Sequence, residues 1–192
     1  MTTAILPAKI LLVENDTHTA EKIRAALAAA GSDLFELQWV RQLSDGIERL
    51  SQRETAAVLL ALSLPDSQGI ETFDKLFTAA PDVPILILGV NANEALAKEA
   101  VRRGAQDYLL PDHLDSYSLP RALRNGIERK AVEDLLYAEK ERAVVTLNSI
   151  GDAVLCTDIS GKISYLNLVA ETMTGWCPSR KRRSSICTTI FR

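Results

Sequence analysis

Ala57-Val58-Leu59-Leu60-Ala61-Leu62-Ser63-Leu64-Pro65-Asp66-Ser67-Gln68-Gly69 is the stretch on which the fold turns. It opens on a continuous apolar run, the pattern of a short strand covered on both faces. Pro65, Asp66 and Gly69 break the run, and Ile70, Phe73, Leu76 and Phe77 follow at helical spacing. The segment therefore reads as buried strand, loop and helix, with Pro81 and Pro84 closing the helix. Ala61 ends the strand with a methyl group, which cannot act as a nucleophile.

The same unit recurs on both sides. Lys9-Ile10-Leu11-Leu12-Val13 is a second buried run, and Glu14-Asn15-Asp16-Thr17 supplies loop and cap residues before a helix carrying Ala20, Ile23, Leu27 and Ala30 up to Gly31. Phe35–Val40 alternates as a strand, and Ser44 is the expected cap of a helix with Ile47 and Leu50 on its buried side. Downstream, Pro84–Leu88 reads as a strand, 94–103 as a helix ending at Gly104, 107–110 as a strand and 119–127 as a helix. Five strands alternating with five helices through short connections predict an α/β, doubly wound five-stranded parallel sheet, because parallel neighbours need crossovers. Sites in such sheets lie at the carboxyl ends of the strands, here Glu14, Asn15, Asp16, Ala61, Gly89, Val90 and Pro111.

Helical pattern continues to about residue 147. Ile127, Ala131, Leu135, Ala138, Arg142 and Val145 recur by fours and threes, which fits either a short coiled-coil seam or a solvated linker helix with one apolar stripe. Beyond it, 153–157 and 163–166 read as a hairpin around Ile159-Ser160-Gly161-Lys162, followed by a short helix 168–174 running into Gly175-Trp176. The expected organisation is a domain at 8–126, a helical linker at 127–147, a partial α+β unit at 148–176 and an aperiodic basic tail at 177–192. The tail holds Arg180, Lys181, Arg182, Arg183 and Arg192 and no acid. It is expected to be an out-of-frame ending, the alternative being a basic localisation or nucleic-acid patch.

Composition excludes several classes. With 47% hydrophobic and 24% charged residues the chain can bury a core, and no apolar run approaches the ~18 residues of a membrane span. No membrane partner is expected, and Met1–Pro7 lacks the features of a signal peptide, so the expected location is the cytoplasm. The formal charge of −3 includes the five basic residues of the tail, and without them the body stands at −8. That acidity argues against nucleic acid as a partner. Cys156, Cys177 and Cys187 give neither a disulfide framework nor a zinc pattern. No glycine-rich phosphate loop follows the first strand and no Ser/His or Cys/His constellation is visible, which disfavours a redox or small-molecule enzyme.

Leu11-Leu12-Val13-Glu14-Asn15-Asp16, Leu62-Ser63-Leu64-Pro65-Asp66-Ser67-Gln68-Gly69 and Gly104-Ala105-Gln106-Asp107-Tyr108-Leu109 resemble the receiver domain of two-component response regulators. The resemblance implies a flavodoxin-like fold that takes phosphate from a histidine kinase. In that family two acids after the first strand and an aspartyl nucleophile after the third hold magnesium, while a hydroxyl residue after the fourth and a lysine after the fifth bind the phosphoryl oxygens. Glu14 keeps the first acid, but Asn15 replaces the second, Ala61 the nucleophile, Gly89 the hydroxyl residue and Pro111 the lysine. Losing two of three ligand side chains is expected to abolish useful magnesium affinity, and no cofactor is expected. The implied role is a pseudo-receiver with no catalytic residue, acting by protein contact.

Asp66 is the alternative phosphoryl acceptor, with Asp16 as substitute metal ligand; a turn or cap residue is the competing reading of Asp66. Tyr108 occupies the family's switch-aromatic position, and packing is its expected role with Gly89 opposite. From Asn148-Ser149-Ile150-Gly151-Asp152-Ala153-Val154 through Tyr165-Leu166-Asn167, Glu171, Thr174, Gly175 and Trp176, the chain resembles the opening of a PAS sensor domain, a form often joined to a receiver ahead of cyclic-dinucleotide enzymes or histidine kinases. The expected partners are proteins of a signalling pathway. A homodimer is the possible assembly, through a face made of helix 94–103, strand 107–110 and helix 119–147.

Overall fold

The computed structural model describes residues 7–31, 34–89, 94–110 and 114–175. Pro111, Val90, Trp176 and the tail at 177–192 lie outside the described residues. Two compact units divide the chain between Glu133 and Asp134.

In the first unit the elements alternate as β1 (Ala8–Val13), α1 (Thr17–Ala30), β2 (Phe35–Val40), α2 (Leu43–Leu50) and β3 (Ala57–Ala61). After a small β4 (Ser63–Leu64) and β5 (Ser67–Gln68) come α3 (Ile70–Ala79), β6 (Ile85–Leu88), α4 (Glu94–Arg102), β7 (Asp107–Leu109) and α5 (Ser118–Ser149). The main sheet has the order β2-β1-β3-β6-β7, all pairs parallel. It is the expected doubly wound five-stranded sheet.

The continuous apolar runs are explained by the period of two along a strand. Leu11, Val13, Val58, Leu60, Ile85 and Ile87 enter one core with Phe73 and Leu76, while Ile10, Leu12, Ala57, Leu59, Leu86 and Leu88 enter another with Ile23, Leu27, Leu119 and Leu123. Every residue of β3 and β6 is thus inside, and Leu12, Leu59 and Leu86 reach 0% exposure. On α2, a Cβ at Gly46 would lie 3.0 Å from Val13, so glycine there sets how closely this helix approaches β1.

Two local expectations are corrected. The segment after β3 is more than a loop, because β4 and β5 pair as an antiparallel hairpin about Pro65 and Asp66. Its buried end is held to α3, where the Thr72 hydroxyl donates to Ser67 Oγ at 3.0 Å. Ser44 does not cap α2. The N-cap position is Gln42, whose side chain makes no cap hydrogen bond. Asp66, delivered by the hairpin, accepts from the backbone N–H groups of Leu43 and Ser44 at 2.9 Å each.

The second unit holds the end of α5, the antiparallel pair β8 (Leu155–Thr157) and β9 (Ile163–Leu166), and α6 (Leu168–Thr174). Its organising residue is Asn167, which is fully buried. Asn167 Oδ1 accepts from Val154 N and Ala170 N, both at 2.9 Å, and Nδ2 donates to Leu147 O at 3.0 Å and Asp152 O at 2.9 Å. Beside it, Asn148 Oδ1 accepts from Leu168 N at 3.0 Å. These two side chains join the last turns of α5 to the hairpin and to α6.

Candidate functional site

The carboxyl ends of β1, β3 and β6 open into a cavity of about 430 Å³, lined by Glu14, Asp16, Ala61, Leu88, Gly89 and Tyr108 among others. Parallel strand order brings these residues together although they span almost a hundred positions of sequence.

Glu14 follows β1 and is only 7% exposed. Its Oε1 accepts from Asp16 N at 2.9 Å. Burial pushes the Glu14 carboxyl above its ordinary range, against the opposing pull of the Asp16 and Asn15 backbone N–H groups. Asp16 has a different occupation. It is the N-cap of α1, accepting from Thr19 N at 2.9 Å, the Thr19 hydroxyl at 2.7 Å and His18 N at 3.4 Å. The Thr19 hydroxyl, then the Thr19 N–H, hold this carboxyl below its usual value. Asn15 is exposed.

Ala61 is 6% exposed and brings only a methyl group to the cavity. Gly89 is buried beyond β6, its N–H donating to Leu109 O at 2.9 Å. A Cβ at position 89 would fall 1.8 Å from Cζ and Oη of Tyr108, so the tyrosine ring fills the volume that any side chain at 89 would need. Tyr108 is half-buried, and that burial raises its phenol above the ordinary value. The Tyr108 ring therefore packs against the bare backbone of Gly89.

Asp66 is absent from the cavity wall, and both of its carboxylate oxygens face α2. Burial raises its pKa, but the N–H donors of Leu43 and Ser44 outweigh it and leave the carboxyl low. Nothing in the sequence signalled the Trp39 contact, in which the indole Nε1–H on β2 donates to Glu14 O at 2.7 Å and fixes the start of the loop. The Tyr108–Gly89 packing was half legible, since both residues stood out but their contact depends on the β6–β7 register Ile87↔Tyr108.

Magnesium does not fit these residues. The ion demands near-octahedral oxygen coordination, whereas among the described residues Glu14 is the one carboxylate of the wall not committed to a helix cap and Ala61 has no side-chain oxygen. Among the described residues no three His, Cys, Asp or Glu side chains converge to hold a metal. No described helix is long and apolar enough to cross a membrane.

A family model described as "Response regulator receiver domain" matches residues 10–113. The chain is 34% identical over 100 residues to the swarming motility regulation protein RssB of Serratia marcescens, covering 52% of this chain and 44% of that one. It is 51% identical over 49 residues to the probable diguanylate cyclase DgcE of Escherichia coli, covering 26% of this chain and 4% of that one. This chain therefore spans less than half the length of either relative. Among solved structures, a response regulator receiver domain protein from Clostridium thermocellum superposes with a TM-score of 0.57 at 21% identity, covering 65% of this chain and 98% of that one.

Proposed function

The chain belongs to the response regulator receiver domain family of two-component signalling, and we propose that it is a pseudo-receiver, working without phosphorylation, without catalysis and through protein contact in the cytoplasm. The carrying observation is the Tyr108 ring over Gly89, beside an Ala61 that lacks a nucleophile. The degenerate pocket then comprises Glu14, Asn15, Asp16, Ala61 and Gly89, with Pro111, outside the described residues, assigned to it by the sequence resemblance alone. Acyl phosphate formation needs a carboxylate where Ala61 stands and stabilisation of the transferred charge. Among the described residues, the cavity wall supplies no Lys or Arg.

The proposed contact face is formed by helix 94–103, strand 107–110 and helix 119–147, with a second copy as one partner. Val132, Leu135, Leu136, Tyr137 and Val145 on α5 are all exposed, an apolar surface that a partner helix would cover. Residues 148–176 are proposed as the start of a PAS domain. The Asn167-centred junction and the two-stranded sheet support that reading, and a pair of strands with open edges calls for further strands.

Acetyl phosphate with magnesium tests the proposal by intact mass. No phosphoryl adduct is expected on the native chain or on Ala61→Asp. A stoichiometric adduct on the native chain that disappears in Asp66→Ala would replace this reading with phosphorylation at Asp66.

A further inference from the structure

We propose that the cavity at the strand ends is a binding site for a small organic ammonium ion, its charge on Glu14 and its carbon chain on the apolar wall. Three independent observations converge on that chemistry. The first is shape: a cavity of about 430 Å³ lies within the range of small-ligand sites, and Ala61, Leu62, Leu88, Leu96 and the Tyr108 ring give it a largely apolar lining.

The second is charge. Glu14 is 93% buried, lines the cavity, and has backbone N–H groups but no cation as partners. A carboxylate taken out of water is costly unless paired. Asp16 adds a second negative charge to the lining, which among the described residues contains neither Lys nor Arg. An anion entering here meets two carboxylates and no compensating charge, whereas a cation pairs with a buried one.

The third is the poor fit to a metal. Among the described residues a single carboxylate free of a helix cap lines the cavity, and it cannot supply the oxygen shell of a hard divalent ion, but one carboxylate is enough for an alkylammonium. The aromatic wall is suitable as well, since a ring face attracts organic cations and shelters their carbon chain. Thr19, Ser63 and Gln68, also in the lining, carry side-chain oxygens able to accept from the remaining N–H groups.

The site so described rests on the reading that no phosphoryl group occupies it, and the two are separable because phosphorylation is read by mass and ligand binding by titration. The full chain is titrated with n-butylammonium, 1-butanol and butyrate at constant ionic strength, following backbone amide resonances. The ammonium ion should give saturable shifts at Asn15, Ala61 and Gly89, at least tenfold tighter than butanol, and butyrate should give none. Glu14→Gln should weaken the ammonium affinity tenfold or more. Ala61→Lys, which tethers an ammonium in the cavity, should abolish binding and provides a second route if Glu14→Gln fails to fold. Equal affinity for the three probes, absence of saturable shifts, unchanged affinity in the variants, or displacement of butylammonium by stoichiometric magnesium would each overturn the proposal.

Discussion

The two compact units are stabilised by opposite means. In the first, each central strand is sealed on both faces by alternate residues, so that Ile10, Leu11, Leu12 and Val13 are all inside. In the second, most residues of β8 and β9 keep some exposure, while Ile159, Leu168 and Met173 stand in solvent. Order there depends on one buried amide, Asn167, whose four hydrogen bonds tie α5, the hairpin and α6 together. Apolar burial tolerates approximate geometry. A polar hub requires every bond to be made, because a buried group left unpaired costs more than a made bond contributes.

The comparison breaks first at the largest effect. Leu59→Ala should cost ~2–5 kcal/mol in chemical denaturation by leaving a cavity between the sheet and the layer of α1 and α5, whereas Leu155→Ala on half-exposed β8 should cost well under half as much. Equal losses would erase the distinction. Asn167→Ala should come next, at ~2–3 kcal/mol, by orphaning buried backbone groups. Hydrogen exchange should show the loss confined to amides such as Val154 and Ala170, with those of β1 and β3 unchanged; global loosening would contradict it.

Within the first unit, Gly89→Thr should cost ~2 kcal/mol by forcing Tyr108 from its place. Tyr108→Ala in the Gly89→Thr background should recover part of that loss, and additive effects in the double-mutant cycle would argue against the contact. Asp66→Ala should remove ~1 kcal/mol by uncapping α2, detectable as faster exchange in its first turn.

The smallest effects concern pH, and two carboxylates act in opposite directions. Asp66 has a folded pKa below its ordinary 3.8, so its stabilisation is present above 3.8 and is lost as pH falls through the folded value. Glu14 has a folded pKa above its ordinary 4.5, so the folded state binds its proton more tightly. Its contribution is favourable below 4.5 and is lost as pH rises through the folded value. A melting-temperature series from neutral to below 3.8 should therefore lose its mild gain on acidification in Glu14→Gln. The acid limb should flatten in Asp66→Asn.

The strands of the first unit were visible in composition and period. Continuous apolar runs at 10–13, 57–61 and 85–88 read as strands covered twice, and the alternating helices required them to be parallel. The cap of α2 was misread for a physical reason: Ser44 satisfies the local rule, but the capping oxygens come from Asp66 on a hairpin 22 residues later. Local sequence scores local partners. It cannot score an acceptor delivered by tertiary packing.

The same boundary runs through the site. Sequence by itself determined the α/β class, the strand ends where the site lies and the chemical poverty of Ala61 and Gly89, because these follow from side-chain period and from which atoms a residue possesses. Only the tertiary structure decided what the remaining groups do. Asp16 was turned into the cap of α1, Asp66 was turned away toward α2, and the Tyr108 ring was laid over Gly89. Each of those outcomes depends on distances between elements far apart in the chain, which strand register and packing set and composition does not encode.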